Sequence, residues 1–285
     1  MRILFACLCL CYLSSAEMFG QRLSFGDAST GDVSSFYAET KQVNQFLRRF
    51  NCEESPRGDR YYAGDSLFRN NPVRRKYIAE LFDNSNTAIA GSLKSGFVAE
   101  VTYDRRPSFL DFHGGKWFAQ VDCRFRYRGV EEAATLYMKL EEDKVGSKWV
   151  LEHVYFAPYE GREIPTVTMP YFSGYNQKFL HPMSHELEFM NLQKAFADTR
   201  NLFQYVARDG GTDVLRFFLS EARLGTLRFE TVEDVRFHFF QIDGWYFELS
   251  KFNRSGYNRG WLISQLTRAT DSQKKMLEKY ILRMM

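Results

Sequence analysis

Apolar and polar side chains alternate most cleanly between Trp117 and Tyr127, where Trp117, Ala119, Val121, Cys123, Phe125 and Tyr127 interleave with Gln120, Asp122, Arg124 and Arg126. A period of two is that of a strand with one face in a core and the other in water. The same reading predicts strands over Gly96–Tyr103, Ser108–His113, Glu132–Glu141 and Lys148–Ala157. Turns at His113-Gly114-Gly115-Lys116 and over Asp143–Ser147 make neighbouring strands antiparallel. Helical spacing precedes them: Val33, Phe36, Val43, Phe46, Leu47 and Phe50 predict a helix from Asp32 to Phe50, capped by Asp32. Asn71-Pro72 opens a second helix through Tyr77, Ile78, Leu81 and Phe82, with proline in the first turn where its missing N–H costs nothing.

The order repeats further along. A helix is expected over Ser184–Val206 and another over Asp213–Glu221, then strands Leu227–Thr231, Val235–Ile242, Trp245–Asn253 and Tyr257–Thr267, and a closing helix Asp271–Met284. Asp243-Gly244 is the strongest hairpin turn by composition. Gly115-Lys116-Trp117-Phe118 resembles Asp243-Gly244-Trp245-Tyr246, and Lys148-Trp149-Val150-Leu151 resembles Gly260-Trp261-Leu262-Ile263. Pro158, Pro165, Pro170 and Pro182, of 7 prolines in the chain, lie between the halves and read as a linker. The expected class is therefore α+β, helices packed on a strongly bent antiparallel sheet, in a duplicated unit: residues 17–157, a linker over 158–183, and a second unit over 184–285 with its terminal helix.

The first sixteen residues stand apart. Arg2, the apolar run Ile3–Leu13 and Ser14-Ser15-Ala16 form a cleavable export signal; the run is too short for the roughly 20 residues of a membrane span. The expected location is periplasmic or extracellular, without a lipid anchor at Cys7 and without a transmembrane segment. Cleavage removes Cys7, Cys9 and Cys11 of the five cysteines and leaves Cys52 and Cys123, an isolated pair that reads either as one disulfide or as two buried thiols, with the bridge carried forward as the expectation. A net charge of +3, over 38 basic and 35 acidic residues, gives no electrostatic basis for a nucleic acid or an anionic membrane as partner. With 45% hydrophobic residues the chain can bury a large core.

Helix, helix, then a bent sheet whose last strand begins Lys148-Trp149-Val150-Leu151 or Arg259-Gly260-Trp261-Leu262-Ile263 resembles the NTF2-like superfamily, the cystatin-like or SnoaL-like α+β cone, over residues 30–157 and 184–267. That resemblance implies a pocket at the wide end of each cone, used for a small apolar ligand, for catalysis or for a partner protein. Its isomerases and dehydratases use an Asp or His inside the cone with Tyr or Asp donors. Here His153, on the strand face of Trp149, Leu151 and Tyr155, is the candidate base, with Tyr127 or Tyr137 as donors. A histidine on an apolar strand face is more often a hydrogen-bonded core group.

Other motifs carry less. His181 and His185 beside Glu186 have helical metal-ligand spacing, but Pro182 breaks the turn and a third ligand is missing, so no metal and no cofactor are expected. By parity with Val235, Phe237 and Phe239, His238 faces solvent. Arg57-Gly58-Asp59 matches an adhesion tripeptide and Asn253-Arg254-Ser255 a glycosylation acceptor, each short enough to arise by chance. The primary expectation is an exported, non-enzymatic binding or assembly module of a cell envelope, its partner a small apolar ligand, an envelope protein or a second copy of itself. The alternatives are a lyase or isomerase of the ketosteroid-isomerase kind and a structural subunit of an envelope secretion or conjugation complex.

Overall fold

The computed structural model of the chain describes residues 40–143, 146–170 and 178–284. The residues expected to form an export signal, the first part of the helix expected from Asp32 and the middle of the expected proline-rich linker lie outside the described residues. Helices α1 (Val43–Asn51), α2 (Asn71–Glu80) and α3 (Gly91–Val101) precede strands β1 (Trp117–Tyr127), β2 (Val130–Asp143) and β3 (Gly146–Phe156). Then come α4 (Leu192–Ala197) between two 3₁₀ turns, α5 (Asp213–Arg223), strands β4 (Leu227–Phe239), β5 (Trp245–Phe252) and β6 (Gly260–Arg268), and α6 (Asp271–Ile281).

The strands form one open antiparallel sheet, in the order β3-β2-β1-β4-β5-β6. Two three-stranded meanders thus meet along β1 and β4, which pair from Trp117↔Phe239 to Tyr127↔Leu227. The alternating residues of β1 all enter the main core, as their period requires. β1 turns into β2 through Arg128 (φ 52°) and Gly129 (φ 88°), a two-residue turn of the twist that suits a hairpin. Asp243-Gly244 does join β4 to β5, but within a longer connection that starts after Phe239.

The helices of each half cover the strands of the other. Phe46 of α1 packs on Phe239 and Phe247, and Phe97 of α3 meets the Trp245 ring edge-on at 5.2 Å. Reciprocally, Phe196 of α4 and Phe218 of α5 stand edge-on to Phe125 at 5.1 and 5.0 Å, and Phe218 also meets Phe156. Both sheet edges are strapped by distant chain, β3 by the linker and the second half and β6 by the first half. Trp149 N–H donates to Leu180 O (3.0 Å) and Ala207 N–H to Leu151 O (2.9 Å) along β3; Trp261 N–H donates to Thr40 O (2.8 Å) and Asp83 N–H to Ile263 O (3.0 Å) along β6. Such straps remove the open edges that invite further strands. At Gly260 (φ 86°) a Cβ would stand 2.3 Å from Thr40 O, so only glycine admits the strap.

Four expectations fail locally. Of the strand expected over 96–103, residues 96–101 are the second half of α3, because Phe97 and Val101, four apart, share one buried face. Residues 108–113 run as irregular chain: Asn51 supplies the ladder partner a strand would need, donating from Nδ2 to Leu110 O (2.8 Å) and accepting Leu110 N–H at Oδ1 (2.9 Å). The helix expected over 184–206 breaks at Glu188 and Phe189, both with positive φ, where Phe189 turns in to meet the Trp149 ring at 5.1 Å. The strands expected over 227–231 and 235–242 are one strand with bulges opposite Cys123 and Phe125.

The disulfide is also corrected: Cys52 and Cys123 are free, buried thiols. Cys52 ends α1 in the left-handed conformation and its Sγ donates to Leu67 O (3.2 Å), whereas Cys123 sits mid-strand between Ala134 and Val232. Because α1 packs on β4 and β5, its C-terminus does not reach β1. Among the described residues no helix is long and apolar enough to cross a membrane.

Candidate functional site

The sheet face opposite α1–α5 is polar along most of its length, and α6 covers one end of it. Under α6, Phe118, Tyr137, Phe240 and Tyr246 form a small apolar cluster against Leu277 and Ile281. Polar ties hold both ends of the helix. Lys274 Nζ donates to Phe240 O (3.0 Å) and Ile242 O (2.5 Å), and Tyr137 Oη donates to Ile281 O (2.6 Å). Burial pushes the Tyr137 phenol up to about 12.

Beside the helix runs a chain of buried polar groups. Tyr246 Oη is 2.8 Å from His238 Nδ1, and His238 Nε2 is 3.1 Å from Gln120 Oε1. Gln120 Nε2 in turn faces Asp122 Oδ1 (3.3 Å), which also accepts Thr135 Oγ1–H (2.7 Å), while the Arg236 guanidinium closes on Asp122 Oδ2. Asp122 fixes which way the Gln120 amide points, so His238 carries its proton on Nε2 and accepts the Tyr246 hydroxyl at Nδ1. Burial, reinforced by Arg236, pulls the His238 pKa down to about 3. Glu248 lies alongside, accepting Ser264 Oγ–H (3.0 Å) and Ser250 Oγ–H (3.3 Å), and burial raises its pKa.

His238 is therefore not at the surface, as parity predicted, but 2% exposed. The parity argument assumes that one sheet face is wet, and α6 makes this end of the sheet buried on both faces. Gln120, Tyr246 and Glu248 belong to no motif in the sequence. Their signal was the shared strand parity of His238, Tyr246 and Glu248 across a hairpin.

Of the candidate catalytic set, the fold joins His153 and Tyr137 and separates Tyr127. The His153 and Tyr137 rings stack at 5.6 Å under the end of α6. His153 Nδ1 is 2.9 Å from Thr212 Oγ1, the cap of α5, and the Leu282 backbone engages the imidazole as well. The ring is 6% exposed, and burial lowers its pKa. Tyr127 stands on the opposite sheet face, edge-on to Phe156 (5.3 Å) and Tyr159 (6.0 Å). A base and a donor on opposite faces of one sheet cannot act on one substrate.

The histidine pair at 181 and 185 diverges. His181 Nδ1 accepts Met183 N–H (3.1 Å) at the start of the 3₁₀ turn Pro182–Leu187. His185 is fully buried, its Nδ1 2.7 Å from Pro182 O, and burial lowers its pKa to about 4. Among the described residues no three His, Cys, Asp or Glu side chains gather to hold a metal ion. Arg57-Gly58-Asp59 caps an exposed tight loop in which Ser55 Oγ–H ties the Asp59 carboxylate (2.9 Å). Asn253 is exposed just after β5.

On the helix side of the sheet a groove of about 670 Å³ is lined by Leu47 and Arg48 of α1, by Phe109 and Phe112, and by Pro182 and Met183. Glu54 holds Arg48 at its rim (2.6 Å). The segment that supplies Met183 also exposes Phe179, Leu187 and Met190, at 54%, 56% and 66%. Comparison of the chain with protein-family models, with curated proteins and with solved structures found no match.

Proposed function

We propose that this chain is an exported, non-enzymatic binding or assembly module that takes its partner in the groove between α1, Phe112 and Met183. One observation carries the reading: the candidate bases His153 and His238 are sealed and committed to partners within the chain, while Met183 lines an open groove and the segment that supplies it exposes Phe179, Leu187 and Met190. Apolar side chains clustered beside a concavity are the usual mark of a docking surface. Export rests on Arg2, the apolar run and Ala16. The reading of a duplicated unit goes with it, supported by the matching straps at Trp149 and Trp261 and by the two three-stranded meanders; the reciprocal covering, in which each half's helices pack on the other's strands, does not support two self-contained NTF2-like cones. The likeness of Gly115-Lys116-Trp117 to Asp243-Gly244-Trp245 does not support it, since those segments open β1 and β5, which are not equivalent in the sheet.

The isomerase alternative is tested directly with a β,γ-unsaturated ketosteroid, followed by the absorbance of the conjugated product. No turnover above the buffer rate is expected from the wild-type chain. Turnover that His153→Ala abolishes in a folded protein overturns the non-enzymatic reading.

A further inference from the structure

The outward face of α6 is organised in two parallel rows. Met276 and Tyr280, four residues apart and 60% and 64% exposed, form an apolar row, continued by Met284, 47% exposed, where the chain turns back after the helix. Lys275 and Lys279, also four apart and exposed, form a basic row beside it. Among the described residues neither lysine makes an ion pair, and the helix's two acids, Asp271 and Glu278, fall on the flank beyond Lys275. Leu277, Ile281 and Lys274 already anchor the inward face to the sheet, so the outward rows contribute nothing to holding the helix in place.

We propose that this outward face is a docking surface for an anionic lipid headgroup layer. The charge is complementary: a basic row meets negative headgroups while the adjacent Met and Tyr side chains enter the headgroup boundary, where an amphipathic ring such as Tyr280 is at home. The shape agrees, because a helix laid across a sheet face is a ridge about 10 Å high. A fluid planar surface accepts a ridge, whereas a protein partner would need a matching groove. That height also keeps the carboxylates of the open sheet face, Glu131, Glu230 and Glu233, about one Debye length from the lipid, and each of them is already paired with Arg124 or Arg126. The near-neutral total charge hid this surface, because docking answers to local charge. The groove at Met183 lies on the other side of the sheet, so a chain docked through α6 holds that groove away from the lipid.

Sedimentation of the full chain with vesicles tests the proposal, comparing pure phosphatidylcholine with two parts phosphatidylcholine to one part phosphatidylglycerol. Binding to the anionic vesicles only is expected, weakening as salt is raised. Lys275→Gln with Lys279→Gln should lower it roughly 25-fold, from about fivefold for each basic residue near an anionic surface. Met276→Ser with Tyr280→Ser should lower it as well. All four positions are exposed, so thermal unfolding should match wild type and confirm that the variants fold. Absence of binding to the anionic vesicles, binding untouched by the lysine pair, or binding untouched by the Met276 and Tyr280 pair each overturns the proposal.

Discussion

Trp149 and Trp261 make the same backbone bond at opposite edges of one sheet: each donates its N–H to a strap from a distant part of the chain, to Leu180 O near the end of the linker at 3.0 Å and to Thr40 O of the first half at 2.8 Å. With Phe46 on Phe247 and Phe218 on Phe125, this places much of each half's apolar cover in the other half. Neither half can bury its sheet alone. Chain cut between Pro165 and Thr166, within the linker, should give two fragments that lack fixed near-ultraviolet dichroism apart and regain it on mixing. A fragment that unfolds cooperatively on its own would contradict the interlock.

His185 and His238 make stability depend on pH. Their native pKa values, about 4 and about 3, lie below the ordinary value of 6.5, so between these limits the unfolded chain binds protons that the native chain does not. Stability is full above pH 6.5 and is lost as pH falls through this window, by about 1.4 kcal/mol per unit for each group. Urea unfolding at pH 7 and pH 4.5 should show the loss, and it should be smaller in His185→Gln. An equal slope in that variant would remove His185 from the account.

The Tyr137 hydroxyl ties the end of α6 to the sheet through Ile281 O. Tyr137→Phe should weaken that attachment by about 1 kcal/mol, the net worth of one buried hydrogen bond. Hydrogen exchange at the amides of the last turn should then accelerate roughly fivefold with the strands unaffected. Unchanged exchange would mean that the Leu277 and Ile281 packing alone holds the helix.

Because Cys52 and Cys123 are free, a chain beginning at Glu17 should show two thiols when unfolded without reductant and react slowly when native. Reductant should leave its unfolding midpoint in place. Cys123→Ser should destabilise more than Cys123→Ala, since the hydroxyl adds a buried polar group where the thiol acted as a small apolar one.

What the sequence made legible follows from what each pattern reports. β1, β2 and β3 were readable because alternation reports a face, and the alternating residues of β1 do line the core. α3 was not, since Phe97 and Val101 fit a strand or a helix and only their common burial decides. His238 was misplaced because alternation is silent about what covers the second face, and that cover, α6, comes from residues 271–281. His153 and Tyr137 meet by a route that alternation does not report: a bulge in β3 opposite Tyr137 and Met138 turns His153 to the face away from Trp149 and Leu151, where it stacks on Tyr137. Their closure by α6 and Thr212, which buries His153 and commits its Nδ1 to a partner, depends on chain far away in sequence.

The account turns on the groove beside Met183, and a photo-crosslinking residue placed there in the producing cell reads it most directly. A discrete crosslinked product is predicted from position 183, lost with Leu187→Glu, and absent when the same residue replaces Tyr257, which is exposed elsewhere. Equal yield from positions 183 and 257, or no product from position 183, would contradict it.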